Sequence, residues 1–122
     1  MSAIQTLRFS CIGLGNIGRN LLDILVHRRE AIAHDYGLEF VLVGAADSSG
    51  AALAADGLDM AQVRDLKLAR QGVASYPGAG QAGMSALQMV ETVSADLLVD
   101  AAPTNLASGE PGLSCVRAAI GR

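Results

Sequence analysis

Three glycines carry the first chemical signal. Gly13, Gly15 and Gly18 sit in the run Gly13-Leu14-Gly15-Asn16-Ile17-Gly18, directly after the apolar stretch that ends at Ile12. At this spacing the first glycine permits a tight turn out of a strand. The second leaves the backbone bare, so that a diphosphate can approach it, and the third lets the following helix pack close to the strand. The chemistry is anion binding, because a helix that begins at Asn16 offers unsatisfied N–H groups and a partial positive charge at its first turn. A glycine-rich structural turn has the same composition. The distinguishing context is a strand before the loop and a long amphipathic helix after it, and both are present.

Two further segments can extend such a site. Asp47 closes a second apolar run, where a carboxylate can accept hydrogen bonds from ribose hydroxyls. It lies about 30 residues beyond Gly18, against a usual interval of roughly 20, and the length of the first helix accounts for the excess. A carboxylate there disfavours a 2′-phosphate and so favours NAD, whereas Ser48, Ser49, Arg19 and Arg64 are groups able to receive that phosphate. A turn-capping aspartate is the plain alternative. The third segment, Ala101-Ala102-Pro103-Thr104-Asn105, follows a third apolar run and places Thr104 and Asn105 near the nicotinamide end. An ordinary proline-terminated strand reads the same way. Lys67, His27 and His34 are assigned to solvated helix surfaces, and Cys11 and Cys115 to plain buried thiols.

The elements that must position these residues alternate. Leu7–Ile12 reads as a strand, and Asn16 to about His34 as one helix with Ile17, Leu21, Leu22, Leu25, Val26 and Ile32 at three- and four-residue steps. Gly37 is its stop. Glu39–Ala46 is a continuous apolar run of the kind found in a parallel strand covered on both faces. Ser48-Ser49-Gly50 is a turn, and Ala51–Ala55 is either a short helix or extended. Helices are expected over Asp59–Gln71 and Ala82–Val93, separated by the turn-rich Tyr76-Pro77-Gly78-Ala79-Gly80. A strand is expected over Ala95–Ala101, and a last helix from about Pro111 or Gly112 to Ile120. This order predicts an α/β, Rossmann-type three-layer domain with a parallel sheet, incomplete at its C-terminal end. The first strand is expected in the centre, with the second and third on either side.

Composition narrows the partners. The 122 residues form one domain or part of one, carry a net charge of −3 with no basic run, and include only four aromatic residues, Phe9, Tyr36, Phe40 and Tyr76. Nucleic-acid binding is therefore not expected. No apolar stretch reaches the roughly 20 residues that span a bilayer, and no secretory signal is visible. The cysteine usage fits a reducing compartment, and the cytoplasm is the expected location.

Taken in order, Gly13-Leu14-Gly15-Asn16-Ile17-Gly18-Arg19, Val43-Gly44-Ala45-Ala46-Asp47-Ser48-Ser49-Gly50, Asp56-Gly57-Leu58-Asp59 and Leu98-Val99-Asp100-Ala101-Ala102-Pro103-Thr104-Asn105-Leu106, with Gly109-Glu110-Pro111 after them, resemble homoserine dehydrogenase. The resemblance covers nearly the whole chain. It implies an oxidoreductase that interconverts aspartate 4-semialdehyde and homoserine with NAD or NADP, on the route to threonine, methionine and isoleucine. It also implies that the backbone around Gly15, Asn16 and Ile17 holds the pyrophosphate, that Asp47 and Ser48 neighbour the adenosine ribose, and that Ala102, Pro103 and Thr104 line the nicotinamide side. In that family a further strand, a Thr-Ala-Asn-Lys segment and a substrate-binding, dimerising domain follow, and this sequence does not contain them. The expected reading is the cofactor-binding part of a homo-oligomeric enzyme, prone to self-association through an open sheet edge. A stand-alone nucleotide-sensing module and a half-domain of another amino-acid dehydrogenase are the alternatives.

Hydride transfer needs the substrate held against the nicotinamide. The chain by itself is therefore expected to show no homoserine oxidation in a spectrophotometric assay of NADH or NADPH formation, and clear turnover would contradict the partial-enzyme reading.

Overall fold

The computed structural model describes residues 4–101. It contains five strands, β1 (Gln5–Ile12), β2 (Leu38–Asp47), β3 (Gly50–Leu58), β4 (Gly80–Ala82) and β5 (Leu97–Asp100). Four helices accompany them, α1 (Asn16–His27), α2 (Arg29–Tyr36), α3 (Met60–Leu68) and α4 (Ala86–Thr92), and a single 3-10 turn spans Val73–Ser75. The strand order is β4-β3-β2-β1-β5.

β1 pairs in parallel with β2 on one side and with β5 on the other. These are the three strands read from the sequence, with the first in the centre as expected. The sheet as a whole is mixed rather than parallel, because β3 and β4 run antiparallel to their neighbours. The cause is local. Ser48 and Ser49 form a two-residue connection, and a link that short can only fold the chain back as a hairpin, since a parallel return needs a dozen residues or more. The segment beginning at Ala51 is thus the extended one of its two possible forms. Its alanines and glycines have little strand preference of their own, and pairing with β2 decides the outcome.

The sheet separates two cores. On one face Phe9, Cys11, Leu42 and Ala45 meet Leu22 of α1 and Met60 and Val63 of α3. On the other, Ile12, Val43, Ala46 and Ala51 meet Met89 and Val90 of α4. Side chains of a regular strand alternate faces with period two, yet Leu42 and Ala45 share a face. The pairing with β1 resolves this: Phe9 faces Leu42 and Ser10 faces Gly44, so β2 carries one extra residue there, which inverts the alternation beyond it. Gly44 at this bulge lies under α4, where an added Cβ would stand 2.6 Å from the Met89 sulfur.

Helix ends follow local chemistry. The expected single first helix is two, broken at Arg28 (φ −106°, ψ 14°). α1 buries Gly18 and Leu22, whereas α2 buries nothing, so the turn at Arg28 releases the chain from the sheet before it re-enters β2. Gly37 ends α2 in the left-handed conformation, φ 66°, as expected. Asp59 caps α3 by accepting from the N–H groups of Ala61 and Gln62 at 2.9 and 3.2 Å. α4 begins later than the apolar pattern suggests, since Ser85 and Gln88 form a reciprocal capping box at its start and residue 82 belongs to β4. The expected last helix over residues 111–120 lies outside the described residues, as does Cys115.

Leu22 is fully buried where α1 meets the sheet. Leu22→Ala is expected to lower unfolding free energy by about 2–5 kcal/mol, the usual cost of a buried leucine cavity, measurable by urea denaturation.

Candidate functional site

The three parallel strands end on the same side of the sheet, and a cleft of about 1320 Å3 opens there. Its floor is the glycine loop. Gly13 leaves β1 with φ 87°, a conformation that suits glycine, and its N–H donates to the Ala46 carbonyl at 2.9 Å, tying the loop to β2. A Cβ on Gly18 would strike the carbonyl oxygen of Gly13, so this glycine is what lets α1 start against the end of β1.

Gly15 is different. A Cβ built there meets no heavy atom within 4 Å and would project into open space. Gly15 is also the N-cap of α1 and supplies no side-chain hydrogen bond to it. The first N–H groups of the helix, those of Asn16, Ile17 and Gly18, have no intrahelical acceptor. The first intrahelical bond runs from the Arg19 N–H to the Gly15 carbonyl at 2.9 Å. The arrangement is a bare backbone facing a helix N-terminus, which fits a diphosphate. Arg19 lines the cleft and holds its guanidinium over the loop, with Nε donating to the Gly15 carbonyl at 3.4 Å and a second bond to the Asn16 side chain.

The far wall is built around Asp47. Its carboxylate accepts four hydrogen bonds. Oδ1 takes the Ser49 N–H at 2.8 Å and the Ser49 hydroxyl at 2.6 Å. Oδ2 takes the Lys67 ammonium at 2.7 Å and the Val73 N–H at 2.8 Å. Ser49 Oγ in turn accepts from the Ala74 N–H at 3.2 Å. Gly72 permits this contact, since a side chain there would collide with Ser49. Only 6 % of the Asp47 side chain is exposed. Burial pushes its pKa up, but the bonds from Lys67, Ser49 and Val73 outweigh that and hold it below the ordinary value.

Lys67 is therefore not the solvated surface residue expected from its helical position. It is 22 % exposed and pairs with Asp47 across the cleft wall. The last turn of α3 and the loop after it, bearing Leu68 and Arg70, complete that wall. Ser48 sits exposed at the hairpin tip beside it. Arg64 does not reach the cleft, since it bonds Asp23 of α1 at 2.9 Å and Asp65 at 3.2 Å. His27 and His34 are exposed, as expected. Cys11 is buried, and burial with the nearby Asp100 charge raises its thiol to about 11, which makes it unreactive. Ala101 lines the cleft opposite Asp47, while Ala102, Pro103 and Thr104 lie outside the described residues. Among the described residues no cluster of His, Cys, Asp and Glu could hold a metal ion.

The chain is similar to known dehydrogenases. The family model for glutamate/leucine/phenylalanine/valine dehydrogenase matches residues 1–111. The homoserine dehydrogenase of Methanocaldococcus jannaschii is 34 % identical over 100 residues, which cover 82 % of this chain and 29 % of that protein. An NAD(+)-dependent homoserine dehydrogenase of Pseudomonas canavaninivorans is 27 % identical over 116 residues, 94 % of this chain and 33 % of that one. Among solved structures, a hyperthermophilic archaeal homoserine dehydrogenase in complex with NADPH superposes with a TM-score of 0.76 at 20 % identity, over 96 % of this chain and 33 % of that chain. The homoserine dehydrogenase of Thermoplasma acidophilum gives 0.66 at 24 % identity, over 84 % and 28 %. The chain thus spans about a third of the length of the curated relatives it matches.

Asp47→Asn removes the charge that pairs with Lys67 and turns an amide donor toward other donors. A loss of about 1–3 kcal/mol at neutral pH is expected. The native pKa of Asp47 is depressed, so its stabilisation is complete above the unfolded-state value near 4. It disappears as pH falls through the lower native value. Denaturant midpoints of the two proteins should differ at pH 7 and converge in acid. An equal gap at pH 7 and pH 2 would show that Asp47 is not acting through its charge.

Proposed function

The chain belongs to the glutamate/leucine/phenylalanine/valine dehydrogenase family, and from that premise we propose that it is the dinucleotide-binding part of a homoserine dehydrogenase. The observation that carries the reading is the contrast between Gly18, where a Cβ would strike backbone, and Gly15, where it would meet nothing. Gly15 also has an ordinary backbone, φ −76°, unlike the open turn glycines Gly78 and Gly83 with positive φ, so neither packing nor conformation accounts for a glycine there.

In this reading the N–H groups of Asn16, Ile17 and Gly18 receive the pyrophosphate, Gly15 gives it access, and Gly13 and Gly18 shape the loop that presents them. The adenosine ribose lies against Ser48 and the Asp47 wall, and the nicotinamide end runs toward Ala101 and on to Ala102, Pro103 and Thr104. When bound there, a nicotinamide would supply hydride exchange with the carbon that is the alcohol of homoserine and the aldehyde of aspartate 4-semialdehyde, the hydroxyl proton moving through the substrate-binding part of the enzyme. What the chain itself does is bind and orient. It holds the diphosphate on fixed dipoles and fixes the position of the adenosine half.

The structure changes what Asp47 contributes. All four of its acceptor positions are engaged within the protein, so it shapes the ribose wall more than it offers a free carboxylate. Lys67 balances its charge. The repulsion that would exclude a 2′-phosphate is weakened, and the cleft accepts either NAD(H) or NADP(H). The relatives named above include an NADPH complex and an NAD(+)-dependent enzyme. No helix among the described residues is long and apolar enough to cross a membrane. The free, buried Cys11 fits a reducing compartment, and the cytoplasm is the proposed location.

Substitution at Gly15 separates binding from folding. Gly15→Val puts its side chain into the open cleft, so the fold should survive. Affinity for NADH and NADPH, measured by titration calorimetry, should fall by about tenfold or more, the equivalent of roughly 1.4 kcal/mol. Gly18→Val should instead unfold the chain. Unchanged affinity in a folded Gly15→Val protein would remove the basis of the reading.

A further inference from the structure

One residue on the cleft wall is in an unusual conformation. Arg70 is the only described non-glycine residue with positive φ, at 61°. It follows α3, where the Arg70 N–H donates to the Lys67 carbonyl at 3.0 Å and the Gln71 N–H to the Leu66 carbonyl at 2.8 Å. This pair of bonds closes a helix end around a left-handed residue, a position where glycine or asparagine is usual, because a Cβ is disfavoured there. Backbone strain of this kind is retained where the surroundings demand that residue.

The surroundings here are the cleft. Asp47 and Lys67 fix the last turn of α3 over the end of β2, so Leu68 and Arg70 are carried to the rim of the same wall. Leu68 is 61 % exposed, a large apolar side chain facing the cleft instead of a core. The Arg70 guanidinium makes no hydrogen bond or ion pair among the described residues, unlike those of Arg19, Arg29 and Arg64. A planar cation beside a bare apolar surface suits a flat aromatic base. A guanidinium stacks on a π face, and a leucine covers a second part of it without demanding a polar partner. Ser48 offers a hydroxyl on this wall, but a phosphate would also call on a second unpaired cation, and the ammonium of the chain's one lysine, Lys67, is held by Asp47.

We propose that Leu68 and Arg70 form the platform that receives the adenine ring, contributed by the end of α3 and not by β2. This rests on the dinucleotide reading given above. Arg70 at the left-handed position holds its guanidinium over the ring, and Leu68 lies against it.

The test uses the full chain, with Leu68→Ser, Arg70→Gly and the double variant, titrated with NADH, NADPH and AMP. Both single variants should fold, since Leu68 is exposed and glycine suits the Arg70 conformation, and Arg70→Gly should unfold at a higher denaturant concentration than the parent. Each should weaken NADH, NADPH and AMP to the same extent, by about three- to tenfold. Unchanged affinity for all three in the folded variants would overturn the proposal while leaving the dinucleotide reading intact. A loss confined to NADPH would overturn it as well, by making Arg70 a 2′-phosphate ligand. Failure of the parent chain to bind either dinucleotide would overturn the underlying reading, and this proposal with it.

Discussion

The carboxylate of Asp47 is the interaction on which the cleft side of the molecule depends. It sits at the end of β2, and its four bonds draw in three pieces of chain that come later in sequence. These are the hairpin tip through Ser49, the last turn of α3 through Lys67 and the 3-10 turn through the Val73 N–H. A buried carboxylate left without these donors would be costly, so their positions are determined together. The wall that results is cross-linked by hydrogen bonds at the end of the cleft to which the proposed function assigns the adenosine half. The floor of the cleft owes its position to the close approach of Gly18 to Gly13.

This arrangement divides the work among similar residues. Gly18 and Gly72 let backbone segments approach each other, whereas Gly15 leaves space that the protein does not fill. Asp47 is an organiser, Asp59 a helix cap, and Asp23 an anchor that holds Arg64 and so ties α1 to α3. None of these differences is visible in composition.

The parallel half of the fold and the glycine loop were legible in the sequence because their signals are local. A short apolar run, a turn and a 3.6-residue period follow one another between residues 7 and 34, and the strands and the loop lie where that pattern puts them. The antiparallel half was not legible. β3 is rich in alanine and glycine and exists because a two-residue connection forces it back along β2. The role of Lys67 was hidden for a related reason. Its partner lies 20 residues away, and the contact requires both the hairpin and the orientation of α3, which no local pattern encodes. Arg70 gave no signal either, since its left-handed backbone contradicts its residue type.

The account stands or falls on whether a dinucleotide lies along the cleft from the glycine loop to the Asp47 wall. The most direct measurement is an amide NMR titration of the 15N-labelled chain with NADPH. The account predicts the largest shifts at Asn16, Ile17 and Gly18 and at Ser48, with smaller ones along Lys67 to Arg70, while the amides of α2 stay still. Shifts concentrated on α2 or at the N-terminal ends of the strands, with the glycine loop unperturbed at saturation, would contradict it.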